Sequence, residues 1–142
     1  MVVDKRLTLL SKVNTVLKSS SANPVITING KNANLTTVKG FNIEGQGNGI
    51  VIKDSDYVII TKNEISTKGN GIVASGTKYL NITKNDVIKN SKSGIVLGDT
   101  ASTYIFDNKI SNNGKDGIEI AKSNKVYIHG NTISSNDEMV FT

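Results

Sequence analysis

The stretch GIVIKDSDYVIITKNEI at residues 49–65 decides the fold, because its pattern recurs three more times along the chain. The copies are GIVASGTKYLNITKNDV at 71–87, GIVLGDTASTYIFDNKI at 94–110 and GIEIAKSNKVYIHGNTI at 117–133, so successive copies begin 22, 23 and 23 residues apart. Each copy opens with Gly-Ile and carries an asparagine 14 residues after that glycine. A fixed period of this length predicts a solenoid of stacked coils.

Variation in repeat length is confined to one segment of each copy. The distance from the asparagine to the next glycine is eight or nine residues, in stretches such as 66–70 and 111–116. Loops accept insertions, whereas strands held in register do not, so these segments are predicted to be loops. Elsewhere in the copies apolar residues alternate with a period of two, as at Ile50 and Ile52, which predicts short β-strands.

The core is predicted to form by stacking one coil on the next. A single coil has too few residues to enclose a core, so burial must come from neighbouring coils about 4.8 Å away, joined by backbone hydrogen bonds. The predicted fold is an all-β, right-handed parallel β-helix of about six coils of 22 to 23 residues. Its inward columns are Ile50, Ile72, Ile95, Ile118; Ile52, Ala74, Leu97, Ile120; Ile60, Ile82, Ile105, Ile128; and Ile65, Val87, Ile110, Ile133.

An asparagine stands at the sharp turn between two strands in each copy, namely Asn63, Asn85, Asn108 and Asn131. Asparagine tolerates left-handed backbone angles, and its side-chain amide can bond to the same amide one coil away. We therefore predict a structural asparagine ladder, whose members hold the turn and are not ligands.

The upstream residues follow the repeat less closely. Residues 25–28 and 35–43 fit one more coil, with Phe41 in the ladder column. Residues 7–9 and Val16 suggest a first, partial coil, so strands are predicted over residues 1–20. A capping helix is the alternative, because an amphipathic helix would cover the open end of the core. Its apolar face would consist of Val3, Leu7, Leu10, Val13 and Leu17.

Composition limits the remaining possibilities. We expect a single domain over residues 1–142, and a fragment of a longer β-helix protein, because residues 139–142 match the opening strand of another coil. With no cysteine, one histidine and two methionines, the chain is predicted to hold no metal and no cofactor. No stretch reaches the ~18 apolar residues that a membrane span needs, and no signal peptide is evident.

The net charge of +5 would permit a polyanionic partner. Of the seventeen basic residues, sixteen are lysines spread along the chain without a run, and Arg6 is the one arginine. Arginine is the residue best suited to bidentate phosphate recognition. The lysines are therefore interpreted as a solvated surface, and no nucleic-acid partner is expected.

The Gly-Ile-Val-Ile openings and turns such as Ile-Thr-Lys-Asn-Glu-Ile and Ile-Phe-Asp-Asn-Lys-Ile resemble the right-handed parallel β-helix repeat family. The resemblance covers residues 2–142 and is to the type found in NosD-like periplasmic proteins and adhesin-like surface proteins of methanogenic archaea. It implies an extracellular or cell-surface protein that binds or processes carbohydrate, with a polysaccharide or cell-wall glycan as its partner. Separately, further coils or another chain are expected to stack at the open ends.

Catalysis on such a scaffold would need carboxylates clustered on one face. Glycoside hydrolysis uses two carboxyl groups within ~5.5 Å or ~6.5 to 9.5 Å of each other. Asp54 and Asp56 lie within one turn, Asp99 is two coils away, and the remaining acidic residues are scattered. No catalytic residue is assigned, and the chain is expected not to be an enzyme. A fragment of a polysaccharide lyase or hydrolase stays as an alternative, as does a calcium ion held by Asp54 and Asp56.

Aromatic residues give the most informative surface prediction. Tyr104 and Tyr127 share one outward column, and Phe106 and His129 share another column two residues further along the same strands. Exposed aromatic rings can stack on sugar rings, so these four residues are the predicted carbohydrate-binding site of a non-catalytic, adhesin-like module. Alternatively, the rings pack on each other or under a neighbouring domain, and the chain is a structural stalk segment.

Overall fold

The computed structural model describes residues 1–141, which form strands, loops and one short 3-10 helix, Lys31–Ala33, with no α-helix in this range. The strands are β1 (Val2–Val3), β2 (Thr8–Ser19), β3 (Ile26–Asn29), β4 (Thr37–Gly45), β5 (Ile50–Lys53), β6 (Ile59–Thr61), β7 (Glu64–Thr67), β8 (Ile72–Ser75), β9 (Asn81–Thr83), β10 (Asp86–Ile88), β11 (Ile95–Gly98), β12 (Ala101–Phe106), β13 (Lys109–Ser111), β14 (Ile118–Ala121), β15 (Asn124–His129), β16 (Thr132–Ser134) and β17 (Val140–Phe141).

The strands form two sheets in which each strand pairs in parallel with a strand about one repeat away. One sheet has the order β1-β3-β5-β8-β11-β14-β17. The other has the order β15-β12-β9-β6-β4-β7-β10-β13-β16, and β2 pairs with β4. Like residues lie side by side in this register, as Ile50, Ile72 and Ile95 do. The chain is therefore a parallel β-solenoid of about six turns, and the fold prediction is confirmed.

The second sheet bends at β4 and so gives the solenoid two of its outer faces. The first part of β4 pairs with β6, and its last part pairs with β7. The strands β6, β9, β12 and β15 follow the first part, whereas β7, β10, β13 and β16 follow the last. The predicted ladder turn lies at this bend in every coil.

The predicted inward columns form the core. Ile50, Ile72 and Ile95 are fully buried, as are most members of the other three columns. In the last coil burial is incomplete, and Ile128 is 37% exposed. Ile128 lies on β15, which is an edge strand of its sheet, so no neighbouring strand covers that side of the residue.

The first coil is built of strands, as predicted, and the alternative of a capping helix is wrong. β1 pairs with β3 and β2 pairs with β4, while Leu9 and Leu17 pack against the core. The register of β2 shifts between Leu10 and Thr15, where Ser11 Oγ accepts the backbone N–H of Thr15 at 3.0 Å. The bulge points Val13 into solvent, whereas Val3 and Leu17, two other members of the proposed helical face, pack in or against the core.

The asparagine ladder is present. The backbone N–H of Asn63 donates to Asn85 Oδ1 at 3.0 Å, that of Asn85 to Asn108 Oδ1 at 2.9 Å, and that of Asn108 to Asn131 Oδ1 at 2.9 Å. Phe41 stands in the same column and donates its N–H to Asn63 Oδ1 at 3.0 Å. Each bond satisfies a backbone group at the bend, where strand pairing is interrupted.

Two details of the ladder were not predicted. The left-handed backbone angle lies one residue before each asparagine, at Lys62 (φ 55°), Lys84 (φ 56°), Asp107 (φ 56°) and Gly130 (φ 67°). A second ladder follows β7, β10, β13 and β16 at the next turn. Its successive bonds join Thr67 N–H to Asn90 Oδ1 at 2.8 Å, Asn90 N–H to Asn113 Oδ1 at 3.1 Å, and Asn113 N–H to Asn136 Oδ1 at 3.0 Å.

The glycine that opens each coil is required by close packing. A Cβ at Gly94 would lie 2.7 Å from the carbonyl oxygen of Gly117 and 2.9 Å from Ile110 Cγ2. Equivalent Cβ atoms at Gly49, Gly71 and Gly117 would lie 2.5 to 2.6 Å from the carbonyl oxygen one coil on. Any larger residue would push adjacent coils apart, which explains the constant Gly-Ile opening.

Candidate functional site

The four predicted site residues come together on β12 and β15. Tyr104 pairs in register with Tyr127, and Phe106 pairs with His129. Thr103 and Ile105 on β12 are buried, so the strand alternation turns Tyr104 and Phe106 to the outside. The structure thus brings all four rings onto one outer surface.

The rings also contact one another, as the packing alternative required. Tyr104 and Tyr127 stack with their centroids 5.0 Å apart and an interplanar angle of 11°. Phe106 meets Tyr104 edge-on at 5.8 Å and 75°, and His129 meets Phe106 at 6.0 Å and 84°. Tyr127 is 47% exposed and His129 is exposed, whereas Tyr104 and Phe106 are half-buried. All four rings therefore reach the surface, and the two of the last coil are the more exposed.

Mutual stacking decides which parts of the rings a ligand could reach. One face of Tyr104 is covered by Tyr127, because the pair is nearly parallel at a distance typical of aromatic stacking. Tyr127 is 47% exposed and Tyr104 is half-buried, so each residue keeps part of its surface in contact with solvent. The cluster can offer hydrogen bonds and apolar contact, but it contains no nucleophile paired with a base.

Two further tyrosines lie on the same side of the solenoid and were missed by the sequence analysis. Tyr57 and Tyr79 stack with their centroids 4.7 Å apart at 11°, and they are 49% and 44% exposed. They precede β6 and β9, two residues before the column of Tyr104 and Tyr127. Each is eight residues after the glycine of its copy, and this shared offset was the signal that could have found them.

We define the aromatic face as the outer surface of β6, β9, β12 and β15 with the turn before each strand. It carries all four tyrosines of the chain, with Phe106 and His129. Tyr57 and Tyr79 both have left-handed backbone angles, at φ 57° and 55°. The same turn is left-handed in other coils too, at Leu35, Ser102 and Lys125. The turn therefore dictates the backbone angle and leaves the side chain free to vary.

The acidic residues form one adjacent pair, because Glu64 and Asp86 are both exposed and lie side by side in register on β7 and β10. Asp56 Oδ1 accepts the backbone N–H of Lys78 at 2.8 Å, so this carboxylate stabilises the turn between coils. Over residues 1–141, no three histidine, aspartate or glutamate side chains are grouped as metal ligands. In the same range the one ion pair joins Lys18 and Glu44 at 3.3 Å, on another face. The calcium site considered at Asp54 and Asp56 thus has no third carboxylate in the described part of the chain.

Together, the parallel pairing and the stacked coils define a β-solenoid with open outer faces. The model of the family described as right-handed β-helix region matches residues 24–141, and the chain belongs to this family. Searches of curated proteins and of solved structures each found no significant match. No helix within residues 1–141 is both long and apolar enough to cross a membrane.

Proposed function

We propose that this chain is a non-catalytic, carbohydrate-binding or adhesin-like module that works outside the cell. The observation that carries the proposal is the aromatic face, where six rings lie on one side of a rigid parallel sheet. The more specific likeness to NosD-like or adhesin-like proteins is part of the proposal and rests on the sequence of the turns.

The shape of the aromatic face suits an extended polymer better than a small ligand. Tyr57, Tyr79, Tyr104 and Tyr127 come from four successive coils, and at ~4.8 Å per coil they span roughly 14 Å along the axis. Small-molecule sites are concave and bury most of their ligand, whereas this surface is open along its length. A glycan chain lying along the axis would contact several rings at once.

The proposal is tested with two double variants at the same positions. Tyr104→Phe with Tyr127→Phe keeps the stacked rings and removes both hydroxyl groups, whereas Tyr104→Ala with Tyr127→Ala removes the rings. A panel of soluble polysaccharides is screened by affinity electrophoresis, with urea denaturation of each variant as the stability control. Binding should fall by roughly 1 to 3 kcal/mol in the alanine variant, taking ring stacking on bases as the scale. The phenylalanine variant should retain part of the binding, because ring contact survives.

A structural stalk segment is the second candidate, and the observation that favours it is the mutual stacking of the rings. A stacked pair contributes about 0.5 to 1.5 kcal/mol beyond the area that it buries. If the alanine variant loses more than about 2 kcal/mol of stability and wild-type protein binds no polysaccharide, the stalk explains the rings better. A fragment of a polysaccharide lyase or hydrolase would instead release products from the polymer, and the same panel assayed for reducing ends tests that alternative.

A further inference from the structure

The exposed hydrophobic residues of the regular coils are concentrated on the aromatic face. Between residues 49 and 127, every large hydrophobic residue with an exposed side chain lies there, namely Tyr57, Ile59, Tyr79 and Tyr127. Exposed apolar residues gathered on one face mark an interaction site. The distribution of the rings over this face indicates what covers it.

The rings of the aromatic face occupy different columns in its two halves. The N-terminal half consists of the coils that open at residues 49 and 71, and the C-terminal half of the coils that open at residues 94 and 117. In the N-terminal half the rings stand in the turn column, which holds Ser102 and Lys125 in the C-terminal half. In the C-terminal half the rings stand in the two strand columns, which in the N-terminal half hold Ile59, Asn81, Thr61 and Thr83. Each column therefore has rings in one half and non-aromatic side chains in the other.

This pattern is self-complementary under a two-fold rotation about an axis that runs parallel to the strands, between β9 and β12. The rotation keeps each column opposite the same column and reverses the order of the coils, so the N-terminal half of one copy faces the C-terminal half of a second copy. Every ring then faces a non-aromatic side chain of the second copy: Tyr57 faces Lys125, Tyr79 faces Ser102, Tyr104 faces Asn81, Tyr127 faces Ile59, Phe106 faces Thr83 and His129 faces Thr61. A two-fold symmetric interface requires such self-complementarity.

The charged residues at the borders of the face obey the same rotation. At the ladder turn the exposed Lys84 faces the exposed Asp107 of the second copy, and at the opposite border Asp54 faces Lys122. Within the described residues none of these four side chains is in an ion pair. The other charged positions face uncharged residues: Asp56 faces Asn124, Lys62 faces Gly130, Lys78 faces Ala101, Asp99 faces Gly76 and Lys125 faces Tyr57.

No like charges therefore oppose each other across the contact, and like charges are what suppresses wrong pairings. Lys125 gains a further attraction, because a lysine ammonium group next to a tyrosine ring makes a cation–π contact. Glu64 and Asp86 line a depression together with Lys84, but they lie on the adjacent face beyond the bend. That face turns away from the second copy.

We propose that two copies of this chain associate through their aromatic faces, as a two-fold symmetric dimer with antiparallel solenoid axes. The inference goes beyond the proposed function and does not rest on it. Three columns on four coils make a small surface compared with stable dimers, which bury about 1,200 to 2,000 Å² in total, so the dimer is weak and forms at high protein concentration. Because the proposed glycan uses the same rings, the dimer and the glycan-bound monomer exclude each other.

Sedimentation velocity over a series of protein concentrations tests the dimer. The sedimentation coefficient of wild-type protein should rise with concentration and fit a monomer–dimer equilibrium. Lys84→Asp alone, or Asp107→Lys alone, places like charges opposite each other twice in the dimer and should lower the association constant by about tenfold or more. The double variant Lys84→Asp with Asp107→Lys rebuilds the pair with its charges exchanged and should return to within about threefold of wild type.

The variants are chosen so that the fold tolerates them. Lys84 and Asp107 occupy the same left-handed position in successive coils, so each substitution introduces a residue type that this position already holds. Urea denaturation confirms that each variant is folded. The control is Lys89→Asp, which makes the same charge change at an exposed left-handed lysine outside the aromatic face, and it should change the association constant by less than about twofold.

Three results would overturn the inference. The first is wild-type protein that stays monomeric at its highest soluble concentration, and the second is a double variant that associates as weakly as the single variants. The third is a series of open-ended oligomers, which would show that coils stack end to end. Sedimentation is measured without glycan, so a failure of this inference is separate from a failure of glycan binding. If both hold, adding an oligosaccharide that binds should convert the dimer to monomer.

Discussion

Replacing Asn108 with alanine tests the asparagine ladder at one of its fully bonded members. Asn108 Oδ1 accepts the buried N–H of Asn85 at 2.9 Å, and Asn108 Nδ2 donates to the carbonyl oxygen of Ile82 at 2.9 Å and to Asn131 Oδ1 at 2.9 Å. Alanine removes all of these bonds. The Asn85 side chain still bonds to the carbonyl oxygen of Ile60, but its backbone N–H has no other acceptor in the described part of the chain.

The expected loss of stability follows from those contacts. A buried N–H without a partner costs about 1 to 3 kcal/mol, and the lost bond to Ile82 adds about 1 kcal/mol. We expect Asn108→Ala to lower the free energy of unfolding by about 2 to 4 kcal/mol, measured by urea denaturation and far-ultraviolet circular dichroism. The control is Asn124→Ala, because Asn124 is exposed and its side chain makes no hydrogen bond within residues 1–141. A loss below about 0.5 kcal/mol at Asn108, or equal losses at both sites, would refute the reasoning.

The remaining predictions concern packing, the second ladder and the rings. Gly94→Ala should destabilise the protein by about 1 to 3 kcal/mol in the urea denaturation assay, because the added Cβ would meet the carbonyl oxygen of Gly117. The control, Gly98→Ala, adds a Cβ into open space and should change stability by less than about 0.5 kcal/mol. Asn113→Ala should lose about as much stability as Asn108→Ala, because it leaves the buried N–H of Asn90 without its acceptor. An unchanged urea midpoint of unfolding would show that the second ladder contributes nothing to stability. Tyr57→Ala should leave the melting temperature within a few degrees of wild type, because Tyr57 is half exposed; a large decrease would mean that its stack with Tyr79 supports the fold.

The core could be predicted from the sequence because a parallel solenoid aligns identical positions. Once the glycines at 49, 71, 94 and 117 were superimposed, the period-two pattern assigned Ile60, Ile82 and Ile105 to the inside, and all three are fully buried. Burial follows from register, and register follows from the constant distance between glycine and asparagine.

The second ladder was missed although its signal was present, because Asn90, Asn113 and Asn136 each lie 19 residues after the opening glycine of their coil. Only the coil that opens at Gly49 departs from this distance. Lys89 is the extra residue of the longer coil, so Thr67 and Asn90 stand at different distances from their own opening glycines. Counted backwards from the next glycine, Thr67, Asn90 and Asn113 all lie four residues before it. Residues that follow an insertion are therefore aligned by their distance to the opening glycine of the next coil, and not by their distance from the glycine of their own coil.

The position of the left-handed angle could not be read from residue type. Lys62, Lys84, Asp107 and Gly130 occupy it, and they share no chemical property that marks a turn. The asparagine next to them is constant because its side chain satisfies backbone groups of two coils, which local turn preferences do not describe. The packing of the aromatic rings could not be predicted either. Strand alternation gives the side of the strand on which a side chain lies, but the orientation of its ring depends on the side chains of the neighbouring coils.

Tyrosine fluorescence during a glycan titration tests the central claim most directly, because the chain has no tryptophan and all four of its tyrosines lie on the aromatic face. We expect a saturable change in tyrosine emission when an oligosaccharide of the bound polysaccharide is added to wild-type protein, and a weaker affinity in the Tyr104→Ala, Tyr127→Ala variant. Emission that stays constant while the oligosaccharide demonstrably binds would place the binding site elsewhere and contradict the account.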